Sequence, residues 1–163
     1  ARWESALASR GRSNEQWDAW ESVYSPVGED GYPRRLWNRN TGEIDPVTAA
    51  HWRENYDLGH ILRRDWTKLA PKLRGKLRIY AGERDNYFLN NAVSVVEDFL
   101  RSAQPSADVV IEYGNRAEHC WNGDHSRANA YSRLRYPQMV LPWVVERILA
   151  TAPPGADVRS WRY

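Results

Sequence analysis

Two β-rich strings, Lys76 to Ala81 and Asp108 to Tyr113, flank a single stretch of helical periodicity, and that order leaves few folds open. The intervening stretch carries Ala92, Val93, Val96, Phe99, Leu100 and Ala103 at helical spacing, with Asn90 or Asn91 as its cap and Gln104-Pro105 as its stop. A crossover helix of this length joins parallel neighbours with right-handed connectivity. Both strands then deliver their C-terminal ends to one rim of the sheet. Two parallel strands alone have uncovered faces and unpaired edges, so the pattern predicts that something completes the sheet: an absent N-terminal half, a second copy of the chain, or strands hidden in the aromatic N-terminal region.

That N-terminal region, from Ala1 to about Arg53, is polar, aromatic and rich in turn formers such as Ser25-Pro26, Gly28-Glu29-Asp30-Gly31, Tyr32-Pro33 and Asn40-Thr41-Gly42, without strand-type alternation. Arg12 to Tyr24 reads as one short helix, with Trp17, Trp20 and Tyr24 on one face. Asp45-Pro46 places a capping carboxylate and a proline where a helix start costs them least, which predicts a helix from Pro46 to about Tyr56. A second runs from about Leu58 to Lys68 until Pro71 ends it. A last helical region, about Arg127 to Ala150 and interrupted near Pro137 and Pro142, covers the sheet, and Pro153-Pro154-Gly155 closes it. The expected organisation is thus one α/β domain of 163 residues, in which residues 1–70 are helical and looped and 71–163 form a strand-helix-strand-helix unit.

Composition narrows the function classes. The 23 basic and 21 acidic residues are interspersed, leaving no stripe able to track phosphates, so nucleic acid is not the expected partner. No apolar run approaches the roughly 18 residues that span a bilayer, and no membrane partner is expected. The chain opens on Ala1 without a charged-then-apolar leader, and a single cysteine excludes an internal disulfide framework. Compartment stays open. Nine Trp and nine Tyr stand against two Phe and one Met, a polar-tipped aromatic set that suits contact surfaces and clefts. The plainer reading is that Trp3, Trp17, Trp20, Trp37, Trp52 and Trp66 anchor irregular segments to the core.

Each strand is followed by a glycine, Gly82 or Gly114, and then by a residue of catalytic type, Asp85 or His119. Alone, Asp85 beside Asn86 is a common turn cap and His119 an ordinary polar-loop histidine. Jointly they stand 34 positions apart, each just past an adjacent strand, in the acid-before-histidine order of the nucleophile-elbow hydrolases. The carboxylate would hold the imidazole tautomer, and the imidazole would take a proton from a serine and return it to the leaving group. The third member, a Gly-x-Ser-x-Gly turn, occurs nowhere in the 163 residues.

The strings Gly82-Glu83-Arg84-Asp85, Tyr87-Phe88-Leu89-Asn90-Asn91-Ala92-Val93, Arg116-Ala117-Glu118-His119-Cys120-Trp121-Asn122-Gly123-Asp124 and Leu36-Trp37-Asn38-Arg39-Asn40-Thr41-Gly42-Glu43-Ile44-Asp45 resemble the C-terminal region of esterases of the α/β-hydrolase fold, over roughly residues 30 to 163. The resemblance implies a partial α/β-hydrolase fold, its last parallel strands with flanking helices, with Asp85 as triad acid and His119 as base. It also implies that the serine and the oxyanion-hole amides lie in a segment not contained here, so that the fragment alone turns over no ester. The expected substrate is a small ester, without cofactor or metal, and the expected partner is the missing half or a second copy. Tyr87 and Trp121 flank the pair and either line a substrate pocket or pack the loops.

Rival assignments draw on neighbouring residues. His125 could be the base instead, although Asp124-His125-Ser126 also reads as a helix start. Cys120 could be a nucleophile only if an imidazole met it within hydrogen-bond reach. His119, Cys120, Asp124 and His125 suggest zinc, yet their spacing fits no structural zinc pattern. The functional alternative is a non-catalytic, aromatic-rich module that binds carbohydrate or protein. That reading gains if Asp85 and His119 lie too far apart to bond while several Trp rings form an open platform.

Overall fold

A computed structural model of the chain describes residues 16–126 and 135–160. The described residues form a mixed α/β structure of five helices and one two-stranded parallel sheet: α1 Gln16–Tyr24, α2 Pro46–Tyr56, α3 Leu58–Leu73, β1 Leu77–Gly82, α4 Leu89–Ser102, β2 Val109–Gly114 and α5 Arg135–Thr151. The strands pair from Leu77↔Val109 to Gly82↔Gly114, so their C-terminal ends share a rim. None of these helices is long and apolar enough to cross a membrane. Packing divides the chain into two units, residues up to Arg74 with Asp98–Ala107, and Gly75–Glu97 with the residues from Asp108 onward. The end of α4 and the turn after it pack with the first unit.

In the first unit, α2 begins as its sequence requires: the Asp45 side chain accepts the Thr48 amide at 2.7 Å and Pro46 occupies the first turn. Asp57 repeats the device for α3, accepting the His60 amide at 3.0 Å. Pro71 does not end α3, contrary to expectation; the helix runs two residues further, to Leu73. A proline so close to the terminus forfeits one backbone bond and no more, which a packed helix tolerates. The real break is a kink at Asp65, whose φ of −112° and ψ of 15° are non-helical and whose carboxylate is held by Arg64 at 2.8 Å. Trp66, Ala70, Leu100 and Ala103 are buried together in this unit, and the Trp66 indole donates to the Pro105 carbonyl at 2.7 Å. Of the expected helix from Arg12, the described part is α1, and Arg12 to Glu15 lie outside the described residues. No strand of the N-terminal region joins the sheet among the described residues; that region holds only isolated antiparallel bridges, Val27↔Pro33 and Trp37↔Ile44.

The second unit contains the sheet. Tyr113 on β2 donates its hydroxyl to Glu97 of α4 at 2.8 Å, tying the first half of that helix to one strand. From α5, the Trp143 ring lies 4.3 Å from the Arg78 guanidinium of β1. The expected start of the last helix at Arg127 falls outside the described residues. Helix α4 starts at Leu89, before the asparagines expected to cap it. Asn90 is instead inside the first turn, its amide bonded to the Glu83 carbonyl at 3.1 Å, because Asp85 already accepts the Leu89 amide.

Candidate functional site

The rim loops that follow β1 and β2 are stitched to one another by backbone hydrogen bonds. Glu83 N–H donates to the Gly114 carbonyl at 3.1 Å and Arg84 N–H to the Ala117 carbonyl at 2.9 Å. So close an approach needs strand ends without side chains. A Cβ at Gly82 would strike the Ala117 and Glu118 carbonyl oxygens, and one at Gly114 would sit 2.5 Å from the Trp121 ring. Neither glycine has a positive φ. The reason for glycine here is spatial, since what matters is the missing atom rather than the extra backbone freedom. Positive φ falls on Gly123 at 89° and on three non-glycine residues of these loops, Phe88 at 62°, Arg116 at 56° and Cys120 at 65°. Each left-handed non-glycine residue costs of order 1 kcal/mol and persists only where the surroundings enforce it.

The stitching brings Asp85 and His119 together: His119 Nδ1 lies 3.0 Å from Asp85 Oδ2. The other Asp85 oxygen accepts the Tyr87 amide at 2.7 Å, which orients the carboxylate, and Asn86 Oδ1 accepts the His119 amide at 3.4 Å. Burial would raise the Asp85 carboxyl, but the hydrogen bond and charge of His119 together with the Tyr87 and Leu89 amides outweigh it and hold the group below the ordinary carboxylate range. The Asp85 side chain is 7% exposed and that of His119 36%, so the acid is enclosed while the imidazole reaches the surface. Among the described residues His119 Nε2 has no hydrogen-bond partner. An imidazole held through Nδ1 with Nε2 free is equipped to accept a proton from an entering hydroxyl.

The remaining predicted residues take different places. Tyr87 is exposed and its ring centroid is 4.7 Å from that of His119, edge to face, so it borders the free imidazole. Trp121 is buried, pressed on Gly114, with its indole donating to the Asp124 carbonyl at 3.3 Å; it supports the loop rather than facing an open pocket beside His119. His125 forms its own pair, Nε2 to Glu112 Oε2 at 2.8 Å, against the Trp121 ring. That second pair is 61% and 34% exposed, and solvent screens it far more than the Asp85–His119 pair. Cys120 is free and exposed and makes no hydrogen bond among the described residues. No group of three or more His, Cys, Asp or Glu among the described residues is arranged to hold a metal ion. The roles of Asn86, Glu112 and the Tyr87 amide were not foreseen; Asn86 beside Asp85 was the one signal in the sequence, read there as a turn former.

A scan against family models, a search of curated proteins and a search of solved structures each returned no match.

Proposed function

We propose that this chain supplies the acid and the base of a serine-esterase type of triad, with Asp85 orienting His119 and a serine delivered by polypeptide outside these 163 residues. In this reading the parallel pair β1–β2 is the last part of an α/β-hydrolase sheet, and the preceding strands, the nucleophile turn and the oxyanion amides belong to the partner segment. One observation carries the reading: the 3.0 Å contact between His119 Nδ1 and an enclosed, doubly bonded carboxylate, with Nε2 left free at the strand rim. The condition attached to a purely binding module, an acid and imidazole too far apart to bond, is not met. Small esters are the proposed substrates, Tyr87 the residue that would touch them, and a second copy of the chain the other candidate to complete the sheet.

The test joins the chain to a segment bearing the serine and follows hydrolysis of a p-nitrophenyl ester. His119→Ala and Asp85→Asn should each lower kcat by at least about a hundredfold, whereas His125→Ala should leave it near the parent value. Equal loss in His119→Ala and His125→Ala, or no gain over the chain alone, would sink the proposal.

A further inference from the structure

The first unit holds an open cleft of about 1140 Å³, walled by Trp17, Trp20, Tyr24, Trp37, Trp52 and Tyr56. Its location within that unit makes it independent of the Asp85–His119 reading. The rings do not form a platform. Trp17 meets Trp20 at 80° and Trp37 at 90°, and Tyr24 meets Trp52 at 68°, so the walls turn toward one another as a box. A pyranose needs a flat exposed ring face together with polar partners for its hydroxyls, and this lining has few of either. Trp52 spends its indole N–H on Ser25 at 2.9 Å, and the Trp37 ring is covered by the Arg39 guanidinium at 3.9 Å. The geometry favours a compact apolar body.

Charge at the border defines the other end of that ligand. Arg53 lines the cleft, and among the described residues its guanidinium makes no hydrogen bond or ion pair. The other charged groups nearby are committed. Asp57, also in the lining, caps α3 by accepting the His60 amide, and Glu54 is shared by His60 at 2.9 Å and Arg64 at 3.1 Å. Asn55, also in the lining, donates its side-chain amide to the His51 carbonyl at 2.8 Å. An apolar box with one uncommitted cation at its edge complements a molecule with an apolar body and one anionic head.

We infer that the aromatic cleft of the first unit binds an amphipathic carboxylate, its apolar body among the tryptophans and its head on Arg53. The test is calorimetric titration of the full chain with dodecanoate below its micelle concentration, with dodecan-1-ol as the neutral counterpart. Dodecanoate should bind once and saturably, at least about tenfold tighter than the alcohol. Arg53→Gln, an exposed substitution that spares the fold, should remove that tenfold advantage and leave the alcohol's affinity where it was. No saturable binding, equal affinity for acid and alcohol, or an Arg53→Gln protein that still prefers the acid would each overturn the inference. Binding that emerges only in a Trp3→Ala chain would overturn it too, by showing that the chain's own N-terminal segment fills the cleft.

Discussion

Gly82→Ala should displace the loop that carries His119. The added methyl would meet the Ala117 and Glu118 carbonyl oxygens and lie 2.7 Å from the Ala117 carbonyl carbon, whereas ordinary contact begins at 3.4 Å. These obstacles are backbone atoms, so no side-chain rotation relieves them. The loop must retreat by roughly 1 Å, and overpacking of this kind costs about 1–3 kcal/mol. Retreat also strains the Arg84 N–H bond to the Ala117 carbonyl, now 2.9 Å, adding about 1 kcal/mol. The expected loss is about 2–4 kcal/mol, which at a urea slope of about 2 kcal/mol/M lowers the midpoint by about 1–2 M. Because His119 follows the displaced residues directly, its 3.0 Å contact with Asp85 should open beyond bonding distance. Tryptophan fluorescence in urea measures the first effect, and histidine side-chain nitrogen NMR the second. A Gly82→Ala protein with the parent midpoint and unchanged His119 ring signals would refute the packing argument and, with it, the reason given for a glycine at the strand end.

Other expectations concern single groups. Asp85 has a folded value below its ordinary one, so its stabilisation is fully present above the unfolded value near 4 and is lost as pH falls through the folded value. Urea midpoints of the parent should therefore drop more steeply than those of Asp85→Asn as pH falls from 6 toward 3, and parallel curves would count against the assignment. Trp66→Ala, which removes a buried indole and its 2.7 Å bond to Pro105, should cost about 3–5 kcal/mol by chemical denaturation, and Trp66→Phe less. Glu21 and Arg39, 3% and 6% exposed and 2.9 Å apart, form a buried pair in which Glu21 also accepts the Leu36 amide. Glu21→Leu alone should cost about 3–5 kcal/mol, and the double change with Arg39→Leu much less than the sum of the two singles; strict additivity in that cycle would show the pair is not coupled.

Much of the local structure could be read from short-range signals. Asp45-Pro46 and the apolar spacing from Ala92 to Ala103 are properties of a few consecutive residues, so the start of α2 and the body of α4 followed from them. The same holds for β1 and β2, whose composition and separation by one helix made a parallel pair the natural arrangement. Proline and asparagine misled where tertiary contacts took over: packing carried α3 past Pro71, and Asp85 capped α4 ahead of Asn90.

What remained for three dimensions was most of the contacts between residues distant in sequence. No periodicity announces that Gly82 is needed because two carbonyls from residues 117 and 118 lie against it, that Glu21 meets Arg39, or that His125 has a carboxylate of its own. Residue types along the chain specify which groups are available and which way a segment bends, since these depend on neighbours a few bonds away. Whether an imidazole nitrogen is bound or free depends on how the rim loops of two strands close on each other, and that is settled only when distant segments compete for the same space.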